Sequence, residues 1–271
     1  MTAESPESPE CCTKIVSRLD AVHNDLTEIK PKKDLNIFSK PIPFNGAILM
    51  GFPGSGLVGT IALQYMVDQL EFEQIGLMTS KYFPPLAMMN KGLINDPVRI
   101  YTKNINNNSI TAIVADIPIA PMICYEIANS IMDWLVPFKP KEVLTIAGIV
   151  TNETEKRVFG VTTSAEVSQR IQDQTLVLPI GSISGIASSL LTECKARNIP
   201  GIGLLGETVN APDPRASAAT IEVLNKIYNL GLDVKPLIEQ AVEIEQTMGK
   251  IAEEVQQSAD QTPKKDLPMY G

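Results

Sequence analysis

Residues 47–62 read AILMGFPGSGLVGTIA, and the succession of residue types along them decides the fold. Ala47–Met50 is an apolar run without polar alternation, as in a strand covered on both faces. Gly51-Phe52-Pro53-Gly54-Ser55-Gly56-Leu57-Val58-Gly59 follows, dense in turn residues, and a helical segment runs on from Leu57 to Leu70. A buried strand that passes through a glycine turn directly into a helix opens an α/β unit.

The same alternation continues outward from this unit. Short apolar runs bounded by turn residues predict strands at Ile75–Thr79, Ile110–Ala115, Val143–Val150, Thr175–Leu178 and Gly201–Leu205. Helices are predicted between them, near Pro121–Val136, Ala165–Ile171, Gly185–Arg197 and Arg215–Leu230. The pattern is that of an α/β core over residues 46–235, a three-layer α/β/α sandwich. Residues 1–45 are expected to hold a disordered start and an N-terminal amphipathic helix. Residues 236–257 are expected to form a C-terminal amphipathic helix, and 258–271 a flexible tail.

The two helical extensions carry the sharpest periodicity. Ile15, Leu19, Val22, Leu26 and Ile29 recur at spacings of four and three, and so do Leu237, Ala241, Ile244, Met248, Ile251 and Val255. Such a stripe either packs on its own domain or forms a helix–helix seam, within the chain or between subunits.

A net charge of -8 and a pI near 4.9 argue against non-specific nucleic-acid binding and against a polybasic membrane patch. No apolar run is long enough for a membrane span, and MTAESPESPECC has no secretory pattern, so a cytoplasmic location is expected. Cys124 and Cys194 read as buried thiols, while Cys11 and Cys12 are adjacent and spell neither a zinc site nor a disulfide framework.

Gly54, Gly56 and Gly59 make a formal GxGxxG between a strand and a helix, the place of a pyrophosphate in dinucleotide-binding units. The next strand, however, runs into Ser80-Lys81-Tyr82 where such a site needs a carboxylate for the ribose, and no Lys-Ser/Thr follows the glycines. A structural turn with positive φ at Gly54 or Gly56 is the preferred reading, with anion binding at that helix N-terminus left open. The only histidine, His23, lies outside the core, which removes Ser–His and Cys–His catalysis there, and no metal or cofactor motif is present. Asp116, Glu126, Glu153 and Glu207 remain as candidate carboxylates. The alternative function is therefore a nucleotide- or nucleoside-handling enzyme that uses the Gly54–Gly59 turn and Asp116.

The last residues read KKDLPMYG, and Met269-Tyr270-Gly271 resembles the hydrophobic–tyrosine–X (HbYX) signature of proteasome-activating proteins. That signature joins an apolar plug, an aromatic hydroxyl and a free carboxylate for a lysine. With it, AILMGFPGSGLVGTIA, the KYFPP run at Lys81–Pro85, the strand end IVADIPI and the GETVNAPDPRAS loop at Gly206–Ser217 resemble the proteasome assembly chaperone 2 family in its archaeal branch. The resemblance covers roughly residues 45 to 271. It implies a fold like that of nucleoside phosphorylases, a homo-oligomer, and an ATP-independent, non-enzymatic chaperone that engages proteasome α subunits through its tails. By the same resemblance Met269, Tyr270 and Gly271 are the docking residues, and Gly51, Gly54, Gly56 and Gly59 are determinants of fold alone.

Overall fold

The computed structural model describes residues 27–32, 35–90, 92–151, 153, 155–178, 180–209, 211–244 and 246–250. The chain begins with a hairpin, β1 (Thr27–Lys32) and β2 (Leu35–Ser39), and then β3 (Ala47–Gly51). A 3-10 turn at Ser55–Leu57 leads into α1 (Val58–Gln69) and β4 (Glu73–Thr79). A small separate hairpin, β5 (Met88–Asn90) and β6 (Leu93–Asn95), precedes the long pair β7 (Val98–Ile105) and β8 (Asn108–Ala115). Then come α2 (Cys124–Leu135), β9 (Glu142–Val150), β10 (Val158–Thr162), α3 (Ala165–Ile171) and β11 (Leu176–Val177). The domain finishes with α4 (Gly185–Ala196), β12 (Gly201–Thr208), α5 (Pro214–Tyr228) and α6 (Lys235–Glu239); residues 241–244 and 246–250 are also helical.

Ten strands form one mixed sheet in the order β1-β2-β4-β7-β8-β3-β9-β12-β10-β11. The central four, β8, β3, β9 and β12, are parallel, and antiparallel strands flank them on both sides. Alternate residues of β3 serve opposite layers, because successive side chains of a strand point to opposite faces. Ala47 and Leu49 pack with α1, α3, α5 and α6, whereas Ile48 and Met50 pack with α2 and α4. The result is a three-layer α/β/α sandwich. Leu49, Leu63, Met66, Ile113 and Ile131 are fully buried, and each such side chain contributes roughly 1.5–3 kcal/mol.

Local chemistry sets the helix ends. Asp213 accepts a hydrogen bond from the Ala216 N–H at 3.0 Å and is followed by Pro214, so α5 starts there; Asn229 in the left-handed region, φ 52°, closes it. Ser164 caps α3 by accepting from the Val167 N–H at 3.3 Å.

The structure adds strands that the sequence reading lacks. β7 carries Arg99 and Lys103 among its apolar residues, which hides its strand character. Both charges find tertiary partners, Arg99 in Asp116 and Lys103 in the Leu70 carbonyl. β1 and β2 fall within the stretch assigned to the N-terminal extension yet extend the main sheet, with Ile29 opposite Ile37. Ile29 is thus a strand residue and not the end of a helical stripe; Ile15, Leu19, Val22 and Leu26 lie outside the described residues. At the other end Leu237 and Ala241 are buried and Ile244 packs on the same core as α1 and α5. This part of the stripe rests on its own domain, while Ile251, Val255 and residues 258–271 lie outside the described residues. Among the described residues, no helix is long and apolar enough to cross a membrane.

The glycines that matter are those where backbones meet. A Cβ on Gly51 would stand 2.4 Å from the Gly59 carbonyl oxygen, and one on Gly59 would stand 2.4 Å from the Ile146 carbonyl oxygen. Gly54, at φ -160°, has nothing within 4 Å of where its Cβ would lie. Gly59→Ala is therefore expected to cost at least about 2 kcal/mol, and Gly54→Ala no more than about 0.5 kcal/mol. Urea denaturation of the two variants checks this, and equal midpoints would refute the constraint.

Candidate functional site

The parallel strands β8, β3, β9 and β12 end side by side at one edge of the sheet, where open α/β sheets usually bind ligands. A cleft of about 390 Å³ opens there between the glycine turn, the end of β9 and the start of α4. Phe52, Pro53, Gly54 and Ser55 form one wall, residues 145–150 the floor, and residues 182–187 with Leu190 the other wall. Every described lining residue is uncharged. The hydrogen-bonding side chains among them are the hydroxyls of Ser55, Thr145, Ser182 and Ser184.

The turn beside the cleft is held from below. Gly56 has φ 65° and Leu57 has φ 49°, so the left-handed positions of the turn are these two, and Gly54 is extended. A Cβ on Gly56 would collide with the Thr208 side chain, and one on Gly148 with the Ser55 carbonyl oxygen. The loop after β12 clasps the same turn. The Asp213 N–H donates to the Gly56 carbonyl at 2.9 Å, the Thr208 hydroxyl to Asp213 Oδ2 at 3.0 Å, and Ser217 Oγ to the Val58 carbonyl at 3.2 Å. Lys156 Nζ reaches Asp213 Oδ2 at 2.6 Å. Burial alone would raise the Asp213 pKa, but the hydrogen bonds from Lys156, the Ala216 N–H and Thr208 outweigh it and leave it lowered. The glycine stretch and the GETVNAPDPRAS loop, far apart in sequence, are one interlocked unit.

The candidate carboxylates have other employment. Asp116 forms a two-pronged ion pair with Arg99, whose other donors reach Gln64 Oε1, the Tyr101 hydroxyl and the Asp96 carbonyl, each at 2.9 Å. Gln64 belongs to α1, so this cluster lies on the α1 side of the sheet, and the cleft lies on the α4 side. The structure does not bring Asp116 together with Gly54. Burial works against the Arg99 cation, and the bond to Asp116 more than offsets it, so its pKa is raised. Glu207, 1% exposed at its side chain, is gripped by Arg157 through Nε at 2.7 Å and Nη2 at 2.8 Å. Glu126 and Glu153 are exposed. Burial raises the thiol pKa of both Cys124 and Cys194, the latter to about 12, so neither is an activated nucleophile.

Among the described residues no group of three or more His, Cys, Asp or Glu is placed to hold a metal ion. Met269, Tyr270, Gly271 and His23 lie outside the described residues. The sequence reading reached the glycine wall of the cleft but not Thr145, Ser182 or Ser184. Thr145 is one hydroxyl in the apolar run VLTIAGIV, and the serines precede a helix in the ordinary way of loop residues. Only the folded arrangement puts them around one space.

Residues 48–252 match the sequence profile of the PAC2 family. An uncharacterized protein of Methanocaldococcus jannaschii is 32% identical over 227 residues, 83% of this chain and 93% of its own length. Among solved structures, Pyrococcus furiosus PbaA, an archaeal homolog of proteasome-assembly chaperone, superposes with a TM-score of 0.75. It is 32% identical, over 83% of this chain and 99% of that one. Pyrococcus furiosus PbaB, an archaeal proteasome activator, has a TM-score of 0.71 at 23% identity, over 82% of this chain and all of that one (100%), and shares the fold.

The Glu207–Arg157 pair makes the clasp acid-sensitive in a defined window. Arg157 holds the Glu207 carboxyl down to about 2 from its ordinary 4.5. A lowered carboxylate pKa stabilises the fold in full above the ordinary value, and that contribution is lost as pH falls from about 4.5 through about 2. Melting temperatures recorded from about pH 6 to about pH 2 are expected to fall less steeply for Glu207→Gln than for the parent. Parallel curves would show that the pair is not coupled to folding.

Proposed function

The chain belongs to the PAC2 family, and from that premise we propose that it is a proteasome-assembly chaperone or proteasome-binding protein acting without catalysis. The observation that carries this reading is the likeness to PbaA, at 32% identity across 99% of that chain. The cleft supports the absence of catalysis. Among the described residues no titratable side chain lines it, and Asp116 is committed to Arg99 on the other side of the sheet. General acid–base work needs a titratable group within hydrogen-bond reach of the reacting atom.

The proposed partner is the α ring of the proteasome core particle. Met269 and the Tyr270 ring insert between α subunits, and the Gly271 carboxylate pairs with a lysine there; the interaction is independent of ATP. The protein acts as a homo-oligomer, so several tails engage one ring and gain affinity through effective concentration. The distribution of exposed apolar side chains supports a protein that works by contact. Tyr82, Met89, Leu93, Ile94, Met122, Tyr125, Val150 and Val209 are all exposed on segments that leave or enter the sheet at the edge where β8, β3, β9 and β12 end. Apolar groups gathered at one edge mark interaction surfaces more often than scattered ones do.

Tyr270→Ala is expected to weaken binding to the proteasome core particle by at least about tenfold, the loss typical of an aromatic anchor, with fold and oligomeric state unchanged. A C-terminal tag should do nearly as much, since it separates the carboxylate from the tyrosine. Pulldown and surface plasmon resonance with core particle read both variants. If either binds as tightly as the parent, the tail is not the docking element.

A further inference from the structure

The cleft beside the glycine turn has features that proteasome docking does not use. Its deepest polar group is Thr145, which is 2% exposed, and among the described residues no group pairs with its hydroxyl. Beside it on β12 is Gly203, where a Cβ would stand 3.7 Å from Thr145 Oγ1 but only 2.6 Å from Val161 Cγ2 and 3.0 Å from Leu191 Cδ1 of α4, so no side chain from β12 covers the Thr145 hydroxyl. Among the described residues the sealed side-chain polar atoms without a partner are Thr111 Oγ1 and Trp134 Nε1, so Thr145 Oγ1 is open to the cleft and can bond to what enters it.

The second feature is the start of α4. The first N–H groups of a helix have no partner inside it. Here Ser184 makes no side-chain capping bond and no acidic residue stands in the first turn. Gly185, Ile186 and Ala187, the residues of that turn, line the cleft. Its open donors and the positive end of the helix dipole favour an anionic group.

We propose that this cleft binds a small apolar monocarboxylate, its carboxylate at the N-terminus of α4 and its body against Phe52, Ile119, Ile149 and Ile183. The Ser184 hydroxyl and the first-turn amides take the carboxylate, and Thr145 takes a second oxygen or a polar substituent further in. The charge follows from the lining. With no lysine or arginine there among the described residues, a phosphate dianion lacks the cations that usually accompany it, whereas a single negative charge suits one helix end. The size follows from the volume, about 390 Å³, near the lower end of the ~300–1,000 Å³ usual for small-molecule sites. The site goes beyond the proteasome reading and does not depend on it, because residues 269–271 take no part.

Phenylacetate and its neutral amide, phenylacetamide, are suitable probes for the full chain. Titration followed by calorimetry and by backbone amide NMR is expected to show saturable phenylacetate binding, with shifts at Gly185, Ile186 and Ala187. Phenylacetamide should bind at least about tenfold more weakly, the difference that one charge-assisted contact makes. Thr145→Val should retain the parent's circular dichroism and melting temperature yet bind several-fold more weakly, which separates recognition from a merely structural role. Ser184→Ala, at an exposed position, provides the same comparison should the valine variant not fold. No saturable shift at residues 185–187, equal affinity for acid and amide, or unchanged affinity in the folded variants would each overturn the proposal.

Discussion

The fold depends on backbone meeting backbone where Gly51, Gly59 and the Ile146 carbonyl come together. With no side chain between them, α1 lies directly on the end of β3 and the middle of β9. That approach fixes the path of residues 52–57 at the rim of the sheet. It also brings Gly56 onto Thr208 and the Ser55 carbonyl onto Gly148, so the turn is wedged among three strands. Leu57 takes a left-handed conformation unusual for a branched side chain, a strain that such a tightly determined site can sustain.

Around this contact the polar groups are arranged to hold loops. Asp213 joins the start of α5, Thr208, Lys156 and the glycine turn. Glu142, fully buried, receives the Tyr228 hydroxyl at 3.0 Å and Arg170 at 2.5 Å, tying β9 to α5 and α3 at the opposite edge. In these ion pairs the carboxylate is buried and the cation is partly exposed; such pairs are weak evidence for added stability, but removal of the cation leaves a costly buried charge. Their effect here is to fix which loop lies against which, and so to shape the edge on which the proposed contacts depend.

The central strands were legible in the sequence because residues such as Leu49, Ile113 and Leu144 are buried whichever way they face, which leaves an unbroken apolar run. The glycine turn was legible for a related reason: only glycine fits at positions 51, 56 and 59. Strand β7 was not, since the partners that neutralise Arg99 and Lys103 lie elsewhere in the chain. The same holds for Asp116 and Glu207, which look like free carboxylates until Arg99 and Arg157 are placed beside them. Thr145, Ser182 and Ser184 share no spacing, and their convergence exists only in three dimensions. At the N-terminus the stripe through Ile29 misled, because the pairing of Ile29 with Ile37 depends on a neighbouring strand that helical periodicity does not reveal.

The central position of β3 constrains the order of events during folding. Ala47 pairs with Ile110 on one side and with Glu142 on the other, so the first strand of the core remains incomplete until much later segments exist. Closing such long loops before the contacts that reward closure makes parallel pairing slow. On a ribosome the apolar residues of β3 and α1 emerge well before β9 can cover them. For that interval the nascent chain leaves part of this apolar surface uncovered, and pairing of β8 with β3 comes before any pairing with β9.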